Sequence, residues 1–418
     1  MVDTVTSLRN QRKSSSLHVI FSFTLSRAPF ELYNHSSLRA TQTVNAGTFN
    51  VRSYGARGDG RTDDSKAFLR AWKHACKSTS RIVEIYVPGA TYLVGPLSFR
   101  GPCRPGSIVF RMQGYLKAST NLKRYTRDVW VEFIWVSGLT LTGGGTFDGQ
   151  GASSWPFNSC PKQSSCKLLP VNLKFLSMND TVISGISSVN SKFFHMGVVA
   201  CKKFQANGLR ISAPENSPNT DGIHIERSSS VTIFSSSIAT GDDCISVGHS
   251  NSDILISGVT CGPGHGISVG SLGKYPNEGD VEGLVVERCS FTGTTNGVRI
   301  KTWGNSPVAT AARNMTFRQL VMRNVKNPII IDQTYCPFSY CTNKVPSRVK
   351  LSDISFQNIQ GTSATEVAVT LDCSRGVPCR NIHIQNVNLR TTNGAPVRSF
   401  CQNIKAIYHG TQSPPPCT

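Results

Sequence analysis

Residues 219–269 read NTDGIHIERSSSVTIFSSSIATGDDCISVGHSNSDILISGVTCGPGHGISV. Within this stretch Gly222, Cys244 and Gly266 follow one another at intervals of 22 residues, and each precedes a short apolar run such as Ile223-His224-Ile225. A fixed period is typical of a solenoid, in which every repeat forms one coil and stacks on the next. Residues one period apart should then lie about one strand spacing, ~5 Å, from each other.

The same phase continues at Gly297 and Pro328, with longer loops inserted. Short β-branched runs recur along the chain, for example at 182–186, 254–256 and 382–384, and helical periodicity is missing after residue 80. Few Asn-Gly or Asp-Gly hairpin signals join these runs, which disfavours a sandwich or a propeller. We therefore predict an all-β, single-domain parallel β-helix.

We expect a leader or irregular N-terminal extension at 1–48 and a single β-helical domain at 49–418. The partly apolar run LHVIFSFTL at 17–25 is a poor signal-peptide core, and it is too short and too polar to span a membrane. A short helix with Asp or Ser at its N-cap is expected just after residue 62, where it would cap the first coil. Its apolar face is formed by Ala67, Phe68, Ala71, Trp72 and Ala75.

The chain is strongly basic, with a formal net charge of +20 and a pI near 9.6. This balance suits an acidic polymer as partner. No dense Lys/Arg run with interleaved aromatic residues occurs, so we expect no nucleic-acid binding. An anionic polysaccharide accounts for the charge better, and we expect a monomer that does not engage membranes.

The fourteen cysteines do not form the repeated CxxC pattern of zinc sites, and several are close in sequence. Disulfides in an oxidising compartment are the better interpretation. N-glycosylation sequons at Asn34, Asn179 and Asn314 agree with it, and we expect a secreted, extracellular protein. The close pairs are Cys160/Cys166, Cys336/Cys341, Cys373/Cys379 and Cys401/Cys417.

Acidic residues share the phase of the repeat. Asp221, Asp243 and His265 immediately precede the three aligned positions, and Asp242 forms a doublet with Asp243. Clustered carboxylates repel one another, which raises the pKa of at least one. One protonated acid beside ionised partners is what glycoside hydrolysis requires. The same residue types are metal ligands, so a metal site is the alternative interpretation.

Arg299 and Lys301 alternate on one predicted strand and therefore point to the same face of the sheet. Two cations on a face shared with the acids either neutralise them or bind a carboxylate of the substrate, Arg as a planar fork and Lys as a point charge. Beside the acids, substrate binding is the better hypothesis.

These motifs resemble those of the plant-type polygalacturonases, family 28 of the glycoside hydrolases. Four signatures occur in order, and the resemblance covers roughly 49–410. The signatures are NTDG at 219–222, GDDC at 241–244, GHG at 264–266 and RIK at 299–301, with further similarity in CGPGHGISVGSLG at 261–273, DQTYC at 332–336 and YGA at 54–56.

The resemblance implies a right-handed parallel β-helix with an open cleft and an inverting hydrolysis of α-1,4 bonds between galacturonates in pectate, with no cofactor. Asp242 would match the general acid, and Asp221 and Asp243 the pair that orients and deprotonates the attacking water. Asn219 and His265 would support their geometry and protonation. Acids on neighbouring coils would lie ~5 Å apart, a spacing usual for retaining enzymes, and here we follow the resemblance.

The resemblance further implies that Arg299 and Lys301 hold a galacturonate carboxylate and that Tyr335 positions the sugar ring. The GIHIERS stretch at 222–228 is similar to exo-acting members, where Arg227 would hold a chain end; an ordinary solvated arginine is the equal alternative. Two other functions stay open: a calcium-dependent pectate lyase, and a non-catalytic solenoid that binds pectin in the wall.

Overall fold

The computed structural model describes residues 47–160, 162–163, 165–338 and 345–417. Almost all of the predicted leader lies outside these residues, and so does the sequon at Asn34. The first strand begins at Gly47, two residues before the boundary expected from the sequence. Asn179 and Asn314, the other two sequon residues, are exposed.

The described chain is built mainly of short strands. The first sixteen are β1 (Gly47–Asn50), β2 (Asp59–Asp63), β3 (Ile82–Val87), β4 (Thr91–Val94), β5 (Leu97–Arg100), β6 (Ser107–Met112), β7 (Tyr115–Ala118), β8 (Val129–Ile134), β9 (Leu139–Thr142), β10 (Thr146–Asp148), β11 (Val171–Leu176), β12 (Asn179–Ser184), β13 (Ser187–Val189), β14 (Met196–Val199), β15 (Lys202–Asn207) and β16 (Arg210–Ser212).

The strands that follow include three long ones, of 15, 14 and 12 residues. They are β17 (Ile223–Glu226), β18 (Ser229–Phe234), β19 (Ser237–Ala239), β20 (Ile245–Val247), β21 (Asn251–Ser257), β22 (Thr260–Cys261), β23 (Ile267–Leu272), β24 (Val281–Glu287), β25 (Ser290–Thr292), β26 (Asn296–Trp303), β27 (Ala311–Val325), β28 (Asn327–Tyr335), β29 (Lys350–Ser363), β30 (Val367–Asp372), β31 (Arg380–Thr391), β32 (Arg398–Gln402) and β33 (Ile407–Ser413).

These strands stack in parallel as successive coils of a β-helix, as predicted. One sheet has eleven strands in the order β5-β8-β11-β14-β17-β20-β23-β26-β28-β30-β32. The other strands form two further ladders, which β27 joins by pairing with β24 through its first part and with β25 through its second. Aliphatic and aromatic side chains from all three ladders fill the interior, so the hydrophobic core runs the length of the solenoid.

The register of the eleven-stranded sheet confirms the 22-residue period. Ile223 pairs with Ile245 and Ile245 with Ile267. Beyond them Ile267 pairs with Val298 and Val298 with Ile329, so the phase persists across the longer loops. Since successive side chains point to opposite faces, these five apolar residues enter the core while their neighbours face outward.

The predicted capping helix is present as α1 (Ser65–Lys77). Its apolar face is buried, and Trp72 packs against Phe99 of the first strand in the eleven-stranded sheet, with ring centroids 5.1 Å apart. Asp64 is the N-cap residue, but its carboxylate accepts hydrogen bonds from the backbone N–H groups of Arg57 and Gly58 instead of capping the helix. Short 3-10 helices lie at Val51–Tyr54, Leu122–Arg124, Gly151–Ser153 and Trp155–Phe157.

Disulfide bonds confirm the oxidised state expected from the cysteines. Three of the predicted close pairs are bonded, and Cys336 is in a disulfide while Cys341 lies outside the described residues. Two further bonds, Cys76–Cys103 and Cys244–Cys261, join cysteines that the sequence left unpaired. Among the described residues, every helix is too short or too polar to cross a membrane.

Candidate active site

The turns that precede β17, β20 and β23 carry the acids and stack directly on one another. Gly222 N donates to Asp243 O at 2.9 Å, and His265 N donates to Asp242 O at 2.8 Å. The glycine of the NTDG motif is required by this contact, because a Cβ at Gly222 would lie only 2.4 Å from the carbonyl oxygen of Cys244. Asn219, which opens the motif, has φ +52°, a conformation that Asn tolerates better than most residues. The repeat thus places Asp221, Asp242 and Asp243 in one cluster, as predicted.

Asp243 is the most buried acid of the cluster and the one most fully paired. Oδ2 accepts from Lys301 Nζ at 2.8 Å, and Oδ1 accepts from Ser268 Oγ at 2.7 Å and from Arg299 Nη2 at 3.3 Å. Burial alone would raise the pKa of Asp243, but the charges of Lys301 and Arg299 with these hydrogen bonds bring the pKa below its usual value. Asp243 is therefore held as a carboxylate.

Asp221 is also buried, but its nearest neighbours do not balance its charge. Ser246 Oγ donates to Asp221 Oδ2 at 2.8 Å. Burial raises the pKa of Asp221 well above its usual value, and the negative charges of Asp242 and Asp243 raise it further against the opposing effects of Lys301 and Ser246. At least one acid of the cluster thus has a raised pKa, as predicted from the clustering.

Asp242 lies between Asn219 and His265. Its Oδ2 accepts from Asn219 Nδ2 at 3.3 Å, and its Oδ1 lies 3.0 Å from His265 Nδ1 and accepts from the backbone N–H of Asp243 at 2.8 Å. The hydrogen bond with Asp242 raises the pKa of His265, although burial opposes it, so the imidazolium form is favoured. With 19% of its side chain exposed, Asp242 is the acid that meets solvent.

These acids form the floor of an open cleft of about 600 Å³. Tyr335, at the end of β28, stands beside the two cations: its ring centroid is 5.5 Å from Lys301 Nζ and 5.8 Å from Arg299 Cζ. Trp303 packs edge-on against Tyr335 with ring centroids 5.4 Å apart. Further residues of the cleft wall are Phe194, His224, Glu226, Arg227, His249 and Lys274.

All eight residues predicted for the site therefore converge, although they span 117 positions of the chain, from 219 to 335. The sequence analysis assigned no role to Ser246 and Ser268, and each donates a hydrogen bond to an aspartate of the cluster. It missed Asn158, whose Nδ2 donates to Asn219 Oδ1 at 3.1 Å from a loop 61 residues away, beyond the reach of any repeat.

Comparison with known proteins agrees with this geometry. The family model for glycosyl hydrolases family 28 matches residues 76–413. An exopolygalacturonase of Platanus acerifolia is 46% identical over 367 residues, which covers 88% of this chain and 96% of the relative. A polygalacturonase of Gossypium hirsutum is 43% identical over 368 residues, covering 88% and 90% of the two chains.

Solved structures share the fold at lower identity. An endo-xylogalacturonan hydrolase from Aspergillus tubingensis superimposes with a TM-score of 0.73 at 23% identity, over 88% of this chain and all of the other. An exopolygalacturonase from Thermotoga maritima gives a TM-score of 0.70 at 19% identity, over 87% and 92% of the two chains. The matched family model, the identity to these plant relatives and the convergent acids lead to one conclusion: the chain belongs to family 28 of the glycosyl hydrolases.

Proposed function

We propose that this glycoside hydrolase cleaves the α-1,4 bonds between galacturonate residues of de-esterified pectin and inverts the anomeric carbon. The observation that carries the proposal is the cluster of Asp221, Asp242 and Asp243, in which Asp243 is paired with both Lys301 and Arg299. A fixed carboxylate, a buried acid with a raised pKa and a more exposed acid give three environments, and hydrolysis needs such distinct roles.

Asp242 is the general acid in this proposal. It is the acid of the cluster that is most exposed to the cleft, where the glycosidic oxygen of a bound chain would lie, and Asn219 and His265 fix its two oxygens. His265 in its imidazolium form supplies a second proton donor next to Asp242, which helps the carboxyl to recover a proton between turnovers.

Asp221 and Asp243 orient the attacking water and take its proton. Asp243 is held as a carboxylate by Lys301 and can only accept hydrogen bonds, so it aligns the water. Asp221 is the stronger base, because its raised pKa favours taking up a proton. Nuclear magnetic resonance of the first product tests the stereochemistry: β-galacturonate ends support inversion, and α ends overturn it.

The cleft wall suits a chain of sugar carboxylates. Arg299 makes a longer contact with Asp243, at 3.3 Å, than Lys301 makes at 2.8 Å, so its guanidinium is the more available of the two for a galacturonate. Tyr335 and Trp303 offer ring faces against which a sugar can pack. Lys274, with Nζ 5.2 Å from the Trp303 ring centroid, adds a further cation to the cleft wall. The net charge of +20 favours approach of the polyanion.

We further propose exo action. Relatives named exopolygalacturonases come from Platanus acerifolia, Arabidopsis thaliana and Zea mays, at 42–46% identity. Arg227 lines the cleft, forms an ion pair with Glu226 and has 52% of its side chain exposed. Its guanidinium can therefore contact the end of a bound galacturonate chain. Analysis of the products released from polygalacturonate tests this proposal. Monomer alone supports exo action, whereas a ladder of oligomers indicates endo action.

Calcium-dependent elimination is the competing chemistry. Asp242, Asp243 and His265 bring three potential ligand atoms within 4.8 Å of one another. They do not fit a divalent cation, because both oxygens of Asp243 already accept hydrogen bonds and two fixed cations adjoin them. Full activity in a chelator and products without unsaturated ends are expected; ultraviolet-absorbing products lost on chelation would identify a lyase instead.

The remaining alternative is a wall solenoid that only binds pectin. Three carboxylates on the cleft floor oppose the binding of a polyanion unless they also serve catalysis, which favours the enzyme. Normal affinity for polygalacturonate without new reducing ends would support mere binding. The disulfides and the exposed sequons support our proposal that the enzyme is secreted and acts in the cell wall.

A further inference from the structure

A continuous row of hydrogen bonds leads from the aspartate cluster along the outward face of the sheet. Ser246 Oγ donates to Asp221 Oδ2 at 2.8 Å. The same Oγ lies 2.8 Å from His224 Nδ1, and His224 Nε2 lies 3.3 Å from Glu226 Oε2. A buried catalytic acid is thereby connected with a carboxylate in the cleft wall through one serine and one histidine.

The row is fixed by its surroundings. His224 and Ser246 are register neighbours on β17 and β20, and Ser246 is only 3% exposed. The ring of Phe194, from the preceding coil, packs against the imidazole of His224 at 5.2 Å. His224 thus faces Glu226 on its own strand and, across Ser246, Asp221.

Two more groups act on the row through Glu226. Arg227 Nε lies 3.0 Å and His249 Nε2 lies 3.4 Å from Glu226 Oε1. Oε2 is left to His224, and this hydrogen bond is the first cause that lowers the pKa of Glu226. Glu226 is therefore a carboxylate, and its Oε2 accepts a hydrogen bond from His224 Nε2.

The single proton of the serine hydroxyl links the charge of Asp221 to that of His224. When Asp221 carries a proton on Oδ2, it donates to Ser246 Oγ, and the hydroxyl donates to a bare Nδ1. When Asp221 is ionised, the hydroxyl donates to the carboxylate, and a protonated Nδ1 donates to Oγ. The first arrangement becomes the second when the carboxyl proton moves to Oγ as the hydroxyl proton moves to Nδ1. One O–H bond is then lost at Asp221, one N–H bond is gained at His224, and the serine keeps one O–H bond.

We propose that His224 is a positioning residue that keeps Asp221 ionised through the hydroxyl of Ser246, by holding the proton that the buried carboxyl would otherwise retain. The inference deepens the proposed function, because it rests on Asp221 as a base towards water. Glu226 favours the imidazolium and so supports the arrangement in which Asp221 is a carboxylate.

The pH dependence of kcat on polygalacturonate tests the row. His224→Asn and Ser246→Ala should each move the acid limb of the profile to higher pH by about one unit, the effect of losing one charge-assisted hydrogen bond. Glu226→Gln should move it the same way by less. His383→Asn is the matched control, because this histidine packs on His409 in another sheet and should leave the limb in place.

A double variant distinguishes an effect of His224 that acts through Ser246 from a general structural disturbance of the site. Since His224 acts through Ser246, H224N should add no further shift in the S246A background. Unmoved limbs in both single variants, or shifts that add in the double variant, would overturn the proposal. A purely structural loss would lower kcat at all pH values and leave both limbs where they are.

Nuclear magnetic resonance of the imidazole nitrogens gives a readout without turnover. In Asp221→Asn, the His224 signals, assigned by their loss in H224N, should titrate at lower pH, because the ionised partner is gone. An unchanged titration would overturn this inference alone. A wild-type protein that shows the linkage but releases no sugar from polygalacturonate would overturn the proposed function alone.

Discussion

Lys301 Nζ lies 2.8 Å from Asp243 Oδ2, and the two side chains are only 8% and 2% exposed. A buried ion pair of this kind is not strongly stabilising compared with an apolar pair, but removal of one partner leaves an uncompensated charge. The pair therefore leaves Asp243 with one cationic partner when Arg299 moves to a substrate carboxylate.

Lys301→Met should lower the free energy of unfolding by about 3–5 kcal/mol at neutral pH, since only the longer Arg299 contact then balances the charge of the buried Asp243. The pKa of Asp243 is lower in the folded than in the unfolded protein. The stabilisation by the pair is therefore present above the unfolded pKa of ~3.9, and it is lost as pH falls through the folded pKa. Urea unfolding at neutral and acid pH measures both effects. The exposed Lys350→Met should change stability by less than about 0.5 kcal/mol.

Asp242→Asn should lower kcat on polygalacturonate by roughly 100- to 10,000-fold, the usual contribution of a general acid. The amide is nearly isosteric, so the unfolding temperature and the affinity for polygalacturonate should stay close to those of the wild type. The exposed Asp253→Asn is the matched control and should keep full turnover. Near-normal kcat in D242N would contradict the role of Asp242.

Asp221→Asn should inactivate the enzyme and yet stabilise the fold at neutral pH. The pKa of Asp221 is higher in the folded than in the unfolded protein. The protonated carboxyl therefore stabilises the fold below the unfolded pKa, and this stabilisation is lost as pH rises through the folded pKa. The amide cannot ionise, and each unit of raised pKa corresponds to about 1.4 kcal/mol. We expect D221N to unfold at a higher temperature than the wild type at pH 7 and at a similar one well below pH 4, by calorimetry at both. Equal stabilisation at both pH values would exclude this cause.

Activity should be greatest at acid pH. The cluster must hold one proton for the leaving oxygen while its other acids are charged, and His265, whose pKa is raised by Asp242, must keep its own. Both protons are lost as pH rises. Initial rates from pH 3 to 9 measure the profile, and activity that continues to rise above neutral pH would contradict this distribution of roles.

The sequence was sufficient for the fold and for the convergence of the in-phase acids, because the repeat determines both, whereas Asn219 and Tyr335 were expected only from the family resemblance. Ile223, Ile245 and Ile267 pair in the structure as their 22-residue spacing predicts. In a stacked parallel sheet, residues at the same position of successive repeats are neighbours, so the in-phase acids lie next to one another. The position of Arg299 beside the acids is explained by the same rule, since Arg299 pairs in register with Ser268.

Contacts that depend on side-chain direction or on irregular loops could not be predicted. The phase does not show that Lys301 binds Asp243, nor that Ser246 connects Asp221 with His224. Asn158 reaches the site from a loop that belongs to no coil. Cys244 and Cys261 are 17 residues apart, so they occupy different phases of the repeat, and their bond crosses the interior of the solenoid.

That bond leads to the last prediction, because Cys244 directly follows Asp243 and both of its half-cystines are fully buried. A double Cys244→Ala, Cys261→Ala variant should lower the free energy of unfolding by about 2–5 kcal/mol. It should also lower kcat, since the turn that carries Asp242 and Asp243 loses its link to β22. The pair Cys373–Cys379, whose loop separation is 6 residues, lies outside the aspartate cluster. Its double alanine variant should lose stability and keep kcat at a permissive temperature; equal loss of kcat in both variants would show that the Cys244–Cys261 bond has no particular effect on the acids.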